Sequence, residues 1–431
     1  MRRIDQRSAG FAEAFATLIG MKREVSEDVD ASVRAILADV RERGDSAVAD
    51  YTLRFDRVDL NATGFAFTRA DIAAAHNRAS PEAVGALRLA AERIRAYHER
   101  QRPADARFTD GLGVSLGWRW TAVDSAGLYV PGGTASYPSS VLMNAVPARV
   151  AGVRRLVMVV PTPGGVVDPL VLVAADIAGI DTVYRIGGAQ AIAALAYGTG
   201  TIAPVAKIVG PGNAYVAAAK RQVFGTVGID MIAGPSEVVI LADATGNPEW
   251  IAADLLAQAE HDTAAQSILI TTDTALAEAT SAAVERQLAS LPRAAIAGAS
   301  WRDFGAIITV GSLDEALPLI ERLAPEHLEL HLSDAEAVAG RIRHAGAIFI
   351  GAHTPEAIGD YVGGSNHVLP TARSARFASG LGVMDFVKRT SLLACSPEAL
   401  RQLGPAAMVL GESEGLQAHA RSVAIRLDDI D

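Results

Sequence analysis

The sequence is poor in cysteine: Cys395 is the single thiol among 431 residues. One thiol excludes an internal disulfide framework and a zinc site built from cysteines, and it favours a reducing compartment. A lone cysteine on an apolar segment is typical of a small buried side chain, so we assign Cys395 no catalytic role. We expect a cytoplasmic protein.

Long apolar runs and basic runs are also missing. No stretch approaches the roughly 18 apolar residues of a membrane span, and Asp5 and Arg7 interrupt the N-terminal segment, so we expect neither a signal peptide nor a transmembrane helix. The 39 Lys and Arg against 49 Asp and Glu give a net charge of −10 without a basic stripe, which argues against nucleic acid as a partner.

The dinucleotide fingerprint G-x-G-x-x-G is absent, yet the hydrophobic pattern predicts an α/β fold. Half of the residues are apolar, and the chain is long enough for about three domains. The pattern is helical from Val29 to about Glu99; from about Val123 short β-branched runs alternate with alanine-rich helices, and the chain becomes helical again after about Val383. We predict two incomplete, Rossmann-like open-sheet domains, a small helical domain and a helical C-terminal extension. The predicted strands are Arg155–Val160, Val183–Ile186, Lys207–Val209, Val238–Ala242, Ser267–Thr271, Ala306–Val310 and Ala347–Ile350.

The helix that begins at Asn247 and Pro248 could deliver metal ligands at its far end. Gln258 and His261 are three residues apart and share a face, so an amide oxygen and an imidazole nitrogen could reach one cation. A polar helix end would look the same.

Glu326 and His327 lie between a predicted helix and the alternating strand that contains Leu328 and Leu330. A carboxylate and an imidazole side by side can divide acid and base work, because the pKa of each can be tuned toward neutrality. A solvated loop is the alternative.

Several polar, glycine-rich loops could approach a ligand closely, although surface turns share their composition. One runs from Gly359 through Asp360 to His367, and Glu414 and His419 near the C-terminus could be surface charges. Other such turns stand where open α/β sheets bind nucleotides, at 129–133, 187–190, 210–213 and 234–237.

Taken in order, eight segments resemble the histidinol dehydrogenase family from about Gly127 to Arg426. The segments are GLYVPGG, GGAQAIAALAYGT, KIVGPGNAYV, DMIAGPSEV, QAEHD, APEHLEL, GDYVGGSNHVLPT and EGLQAHARSVAIR.

The resemblance implies an NAD-dependent enzyme that oxidises L-histidinol through L-histidinal to L-histidine, with one Zn²⁺ per subunit that orients the substrate. It implies zinc ligands at Gln258, His261, Asp360 and His419. It implies substrate contacts at Ser236, Gln258, His261, His327, Asp360, Glu414 and His419, with His367 a weaker candidate. It implies NAD contacts at Tyr129, Gln190 and Asn213.

The resemblance also implies a homodimer whose C-terminal segment completes the partner's site. For the chemistry, we expect His327 to accept the alcohol proton and Glu326 to deprotonate the water that adds to the aldehyde. We divide the chain into a helical domain (26–102), a catalytic α/β domain (103–128 with 236–381), an NAD-binding α/β domain (129–235) and a dimerisation segment (382–431).

Three alternatives stay open at this point. A relative on the same scaffold could oxidise another amino alcohol or a polyol. A zinc hydrolase could use Glu326 to activate a metal-bound water, and it would work without NAD. A catalytically silent metal-binding module is the third.

Overall fold

The computed structural model describes residues 1–21, 27–132, 137–232 and 234–429. Ser26, where we placed the start of the helical domain, and Gly133 of the first glycine-rich turn lie outside these ranges. No helix in the described part of the chain is long and apolar enough to cross a membrane. The strands there are β1 Arg2–Asp5, β2 Ala106–Thr109, β3 Ser115–Ala122, β4 Ser125–Tyr129, β5 Arg155–Val159, β6 Thr182–Tyr184, β7 Lys207–Val209, β8 Gly228–Ile229, β9 Glu237–Ala242, β10 Gln266–Thr271, β11 Ala306–Thr309, β12 His327–His331, β13 Ala347–Ile350 and β14 Val387–Ala394.

Helices alternate with the strands in the middle of the chain and gather at both ends. The helices are α1 Phe11–Gly20, α2 Glu27–Arg43, α3 Asp45–Asp56, α4 Leu60–Thr63, α5 Arg69–Arg78, α6 Pro81–Glu99, α7 Pro138–Ala151, α8 Pro169–Ile177, α9 Gly188–Tyr197, α10 Ala214–Val223, α11 Pro248–Ala259, α12 Thr274–Leu288, α13 Ala294–Phe304, α14 Leu313–Leu323, α15 Ala335–Ala339, α16 Glu356–Tyr361, α17 Pro397–Ser413 and α18 Gln417–Asp428.

The predicted α/β class with two open parallel sheets is confirmed. One sheet has the order β6-β5-β4-β7-β8, and the other has the order β1-β11-β10-β9-β12-β13. All pairs in both sheets are parallel. Apart from the edge strand β1, the chain starts in the middle of each sheet, moves to one side and then crosses to the other. That path is the doubly wound order, which leaves a crevice between β4 and β7 in the first sheet.

The helical region at the N-terminus packs on the first sheet and shares its cores. Val33 and Val40 of α2 join the apolar cluster under α9 and α10, whereas Leu87 and Ile94 of α6 join the cluster under α7 and α8. These helices therefore cover both faces of the β6-β5-β4-β7-β8 sheet.

Several strands were not among those predicted, namely β1, β2, β3, β4, β8 and β14. β1 adds to the edge of the second sheet beside β11, so the first residues of the chain belong to that sheet. β14 pairs antiparallel with β3, which pairs antiparallel with β2. The prediction of helix from about Val383 onward is therefore wrong for β14, because an edge strand with most side chains exposed lacks the buried alternation on which the prediction depended. It is right for α17 and α18.

The domain division remains a proposal, and strand pairing bears on one of its boundaries. The division cuts the chain between residues 128 and 129, but β4 spans both residues and lies in the middle of the first sheet. A boundary before Ser125 keeps β4 whole.

Candidate active site

A cavity of about 520 Å³ lies where the two parallel sheets meet. Its walls come from the carboxyl ends of β4 and β7 in the first sheet and from the amino ends of β9 and β12 in the second. Predicted site residues in its lining are Asn213, Ser236, His261, Glu326, His327, Asp360 and His367.

His327, the first residue of β12, lines this cavity and lies on the polar face of the strand. Leu328 and Leu330 point to the apolar core on one face of the strand, and the period of two sends His327, Glu329 and His331 to the opposite face. Every residue of β12 is buried, so this polar face is enclosed by α11 and α16.

The imidazole of His327 is held by its Nδ1 atom. Nδ1 lies 3.1 Å from the carbonyl oxygen of Glu237, which fixes the proton on that nitrogen, whereas Nε2 is buried without a hydrogen-bond partner among the described residues. Burial lowers the pKa of His327, and Asp360, whose Oδ1 is 4.0 Å from Nε2, opposes that shift. A neutral imidazole with a free Nε2 is suited to accept a proton.

Glu326 is anchored beside it at the start of β12. Its Oε2 accepts a hydrogen bond of 2.9 Å from the backbone N–H of Glu237 and lies 3.8 Å from Nδ1 of His327. The backbone of β9 thus holds both predicted acid and base residues.

The side chain of Gln258 is the most unusual polar group near the site. It is 0 % exposed, and neither its Oε1 nor its Nε2 has a hydrogen-bond partner in the described structure. Burying an amide without partners is costly, so native proteins seldom do it without a ligand. Gln258 lies on the last turn of α11, three residues before His261.

His261 and Asp360, two of the zinc ligands that the resemblance implies, lie close together, and a third residue joins them. One donor atom each from His261, Asp360 and Glu356 lie within 4.8 Å of one another. Glu356 was not predicted from the sequence, although it stands one helical turn before Asp360 on α16 and so shares its face. Burial, followed by the charge of Asp360, raises the pKa of Glu356 well above its ordinary value.

His367 lines the cavity from the loop that follows α16. Its Nδ1 lies 2.9 Å from the carbonyl oxygen of Asp360, and its Nε2 lies 3.1 Å from the hydroxyl of Ser140. Burial lowers the pKa of His367. This ring fixes the backbone of Asp360 against α7.

The three predicted NAD contacts lie at the carboxyl edge of the first sheet. The hydroxyl oxygen of Tyr129 accepts a hydrogen bond of 3.1 Å from the backbone N–H of Gly188, and burial raises the pKa of Tyr129 to about 12. Gln190 is buried with its Oε1 lacking a partner among the described residues, and Asn213 caps α10 through the N–H groups of Tyr215 and Val216.

Glu414 and His419 do not reach this cavity within one chain. Glu414 ends α17 and His419 lies on α18, and both side chains are exposed. Val409 and Leu410 on the same helix pair are more than 60 % exposed. Cys395 is also exposed, so the expectation of a buried thiol is wrong; it directly follows the exposed edge strand β14.

A second buried polar cluster continues away from the cavity along β12. Nε2 of His331 lies 3.3 Å from Glu329 and 3.5 Å from Asp254 of α11, and Glu329 also accepts the backbone N–H of Glu356 at 2.7 Å. The sequence signal for this cluster was present, because residues 327, 329 and 331 alternate with leucines.

An open nucleotide-type sheet and a second sheet that share one cavity lined by imidazoles and carboxylates define an α/β enzyme of the dinucleotide-dependent oxidoreductase class. Comparison with known proteins identifies the family within this class. The family model of histidinol dehydrogenase matches residues 20–427. The histidinol dehydrogenases of Mesorhizobium japonicum and Rhizobium meliloti are 68 % and 66 % identical to the chain over 423 and 426 residues, and each alignment covers at least 98 % of both proteins. The crystal structure of histidinol dehydrogenase from Elizabethkingia anophelis aligns with a TM-score of 0.95 at 35 % identity, and it covers 100 % of this chain and 98 % of that one.

The chain therefore belongs to the histidinol dehydrogenase family. It is an NAD-dependent oxidoreductase of histidine biosynthesis that acts on a small-molecule substrate, so the hydrolase and the silent metal-binding module are set aside.

Proposed function

We propose that the cavity between the two sheets oxidises L-histidinol to L-histidine in two NAD-dependent steps, through L-histidinal, with one zinc ion per subunit. The observation that carries the proposal is the buried amide of Gln258, whose two polar atoms have no partner among the described residues. It stands one turn before His261, which is clustered with Asp360.

The donor set fits zinc. An amide oxygen from Gln258, an imidazole nitrogen from His261 and a carboxylate oxygen from Asp360 are the N and O ligands that Zn²⁺ accepts, and His419 of a second subunit would add another imidazole. When bound, zinc orients the substrate by holding its imidazole and amino nitrogens. Ser236, Glu414 and His419 would complete the substrate contacts, with His367 behind Asp360.

His327 would act as the base in both oxidation steps. The alcohol O–H proton moves to the free Nε2 while the carbon-bound hydrogen leaves as hydride, which NAD accepts. The Nδ1 contact with the carbonyl of Glu237 holds the ring in the tautomer that this transfer needs.

Glu326 would act between the two steps. The aldehyde must add water before a second hydride can leave. A carboxylate fixed by the N–H of Glu237 can take a proton from that water, while His327 gives the proton it gained in the first step to the aldehyde oxygen, which completes the gem-diol and frees Nε2 again. His327 then accepts the hydroxyl proton of the resulting gem-diol as a second NAD accepts hydride. Each histidinol therefore yields two NADH.

We further propose that the active form is a homodimer with shared sites. Glu414 and His419 are exposed and remote from the cavity in one chain, and the apolar residues Val409 and Leu410 beside them are exposed as well. Exposed apolar patches of this kind mark association surfaces.

The test is to count the NADH formed per L-histidinol consumed, before and after metal removal. The expected ratio is two, lost on chelation and restored by zinc. A ratio of one would contradict the second oxidation, and activity that survives complete metal removal would contradict the zinc site.

Subunit complementation tests the shared site separately. His261→Ala and His419→Ala homodimers should each be inactive. Mixed dimers, formed by dissociation and reassociation, should regain one intact site, because both lesions fall in the other site. Failure of the mixture to recover activity while mixed dimers form would show that each chain supplies its own ligands.

A further inference from the structure

A group of buried polar atoms without partners lies at the carboxyl edge of the first sheet, outside the cavity with the acid and base residues. Oδ2 of Asp56, Oγ1 of Thr162 and Oε1 of Gln190 are each buried and have no hydrogen-bond partner among the described residues. Thr162 follows β5, Gln190 opens α9 after β6, and Asp56 ends α3 of the N-terminal helical region.

A chain of close contacts joins these atoms into one place. The backbone of Thr162 lies close enough to the carboxylate of Asp56 to lower its pKa, in opposition to burial. A Cβ on Gly187 would lie 2.4 Å from Pro161, so the loops after β5 and β6 touch. The next residue, Gly188, donates its N–H to the hydroxyl of Tyr129.

The position of Asp56 is unfavourable in the protein alone. It is the last residue of α3, where the partial negative charge of the helix end repels a carboxylate. Burial raises its pKa, and its Oδ2 has no hydrogen-bond partner among the described residues. The helix then ends on Arg57 at φ 60°, a left-handed conformation that costs a non-glycine residue energy.

A buried acceptor without a partner, such as Oδ2 of Asp56, is accounted for if a bound ligand donates the missing hydrogen bond. The free atoms of Asp56 and Gln190 are both acceptors, so the ligand must present donors at this edge. The hydroxyl groups of a ribose are donors, and in open α/β folds a carboxylate near this edge commonly binds the ribose 2′-hydroxyl of NAD.

Resting on the proposed NAD site, we infer that Asp56 binds a ribose hydroxyl of the dinucleotide and makes the enzyme prefer NAD over NADP. The carboxylate accepts the hydroxyl proton of NAD, whereas it repels the 2′-phosphate that NADP carries in the same place. The helical N-terminal region thereby contributes a specificity-determining residue to the first sheet's cofactor site.

The test is equilibrium binding of NAD and NADP, measured by calorimetry on the zinc-loaded wild type and on Asp56→Asn. Asparagine keeps the shape of the side chain and loses its charge. We expect the Kd for NAD to rise about tenfold to a hundredfold, the loss typical of a hydrogen bond to a charged group. The ratio of the NADP Kd to the NAD Kd should fall at least tenfold.

Asp50→Asn is the matched control, since Asp50 lies on the same helix but is 64 % exposed and paired with Arg43. It should leave both Kd values within twofold of the wild type. Melting temperatures show whether Asp56→Asn is folded, and we expect no decrease because a buried carboxylate whose Oδ2 lacks a partner is removed.

Two results would overturn the inference while leaving the proposed NAD site intact, provided that Asn213→Ala weakens NAD binding. One is an unchanged NAD Kd in folded Asp56→Asn. The other is an equal loss for NAD and NADP, which would mean that Asp56 only shapes the loop. If Asn213→Ala also leaves NAD binding unchanged, the site itself is wrong and the role of Asp56 falls with it.

Discussion

Replacing Gln258 by methionine should make the metal-free protein more stable while it destroys the metal site. Methionine follows the same unbranched path and carries neither amide atom. Both atoms are buried without partners among the described residues, and such a group costs about 1–3 kcal/mol. The free energy of unfolding of the metal-free protein should rise by about that amount, and the melting temperature by roughly 1–3 °C.

Gln266→Met is the matched control with the opposite sign. Gln266 is buried as well, but its Nε2 donates to the carbonyl oxygen of Phe304 at 3.2 Å. Its replacement removes a made hydrogen bond and should lower the free energy of unfolding by about 1 kcal/mol.

The assay is calorimetric melting of both variants and the wild type after exhaustive chelation, repeated with zinc. Zinc should raise the melting temperature of the wild type and of Gln266→Met, because a ligand that binds the folded state stabilises it. The melting temperature of Gln258→Met should rise far less, because this variant lacks one of the proposed ligands. If metal-free Gln258→Met melts below the wild type, as the control does, the amide is bonded in the metal-free protein and the reasoning fails.

Three further predictions concern groups around the site. Burial raises the pKa of Asp254 to about 7, so the neutral form stabilises the fold below about pH 4 and this stabilisation is lost as the pH rises toward 7. Asp254→Asn should therefore gain roughly 2–4 kcal/mol relative to the wild type between urea denaturation at pH 4 and at pH 8, and an equal difference at both pH values would contradict the shift. Lys220→Met leaves the buried carboxylate of Asp230 without its ion-pair partner, so it should lower the free energy of unfolding in urea by about 3–5 kcal/mol. The double variant with Asp230→Asn should recover most of that loss. If it recovers none, Lys220 contributes through its packing alone. Asn213→Ala removes the cap of α10 and should lower the free energy of unfolding by about 1 kcal/mol, seen as a slightly lower melting temperature. An unchanged melting temperature would show that the cap does not stabilise the protein.

The fold was predictable because long amphipathic or β-branched segments carry their own signal. The predicted strands Lys207–Val209 and Ala347–Ile350 match β7 and β13 residue for residue. Val183–Ile186 differs from β6 by one residue at its start and two at its end, and the other predicted strands differ by one residue at one end. The antiparallel strand β14 was not predicted, because its mostly exposed side chains give no alternating hydrophobic pattern. Its conformation depends on pairing with β3, which is far away in sequence.

The site was only partly predictable from the sequence, because many of its contacts join residues that are far apart in the chain. Adjacent or one-turn spacings identified Glu326 with His327 and Gln258 with His261. Glu356 was missed, although its pairing with Asp360 follows from helical spacing. That Nδ1 of His327 is held by a carbonyl could not be deduced, because it depends on the register of β12 against β9.

The placement of the site also departs from the rule for open α/β sheets in an instructive way. Both sheets follow the doubly wound order, which places ligands at the carboxyl ends of the strands. The first sheet obeys this rule, but His327 and Glu326 lie at the amino ends of the second sheet. The reason is the short connection between β8 and β9, which brings the chain from the carboxyl edge of one sheet directly to the amino edge of the other. One edge of each kind must then face the common cavity, so the first sheet presents backbone N–H groups and glycine turns there, while the second sheet presents the imidazole and carboxylate groups.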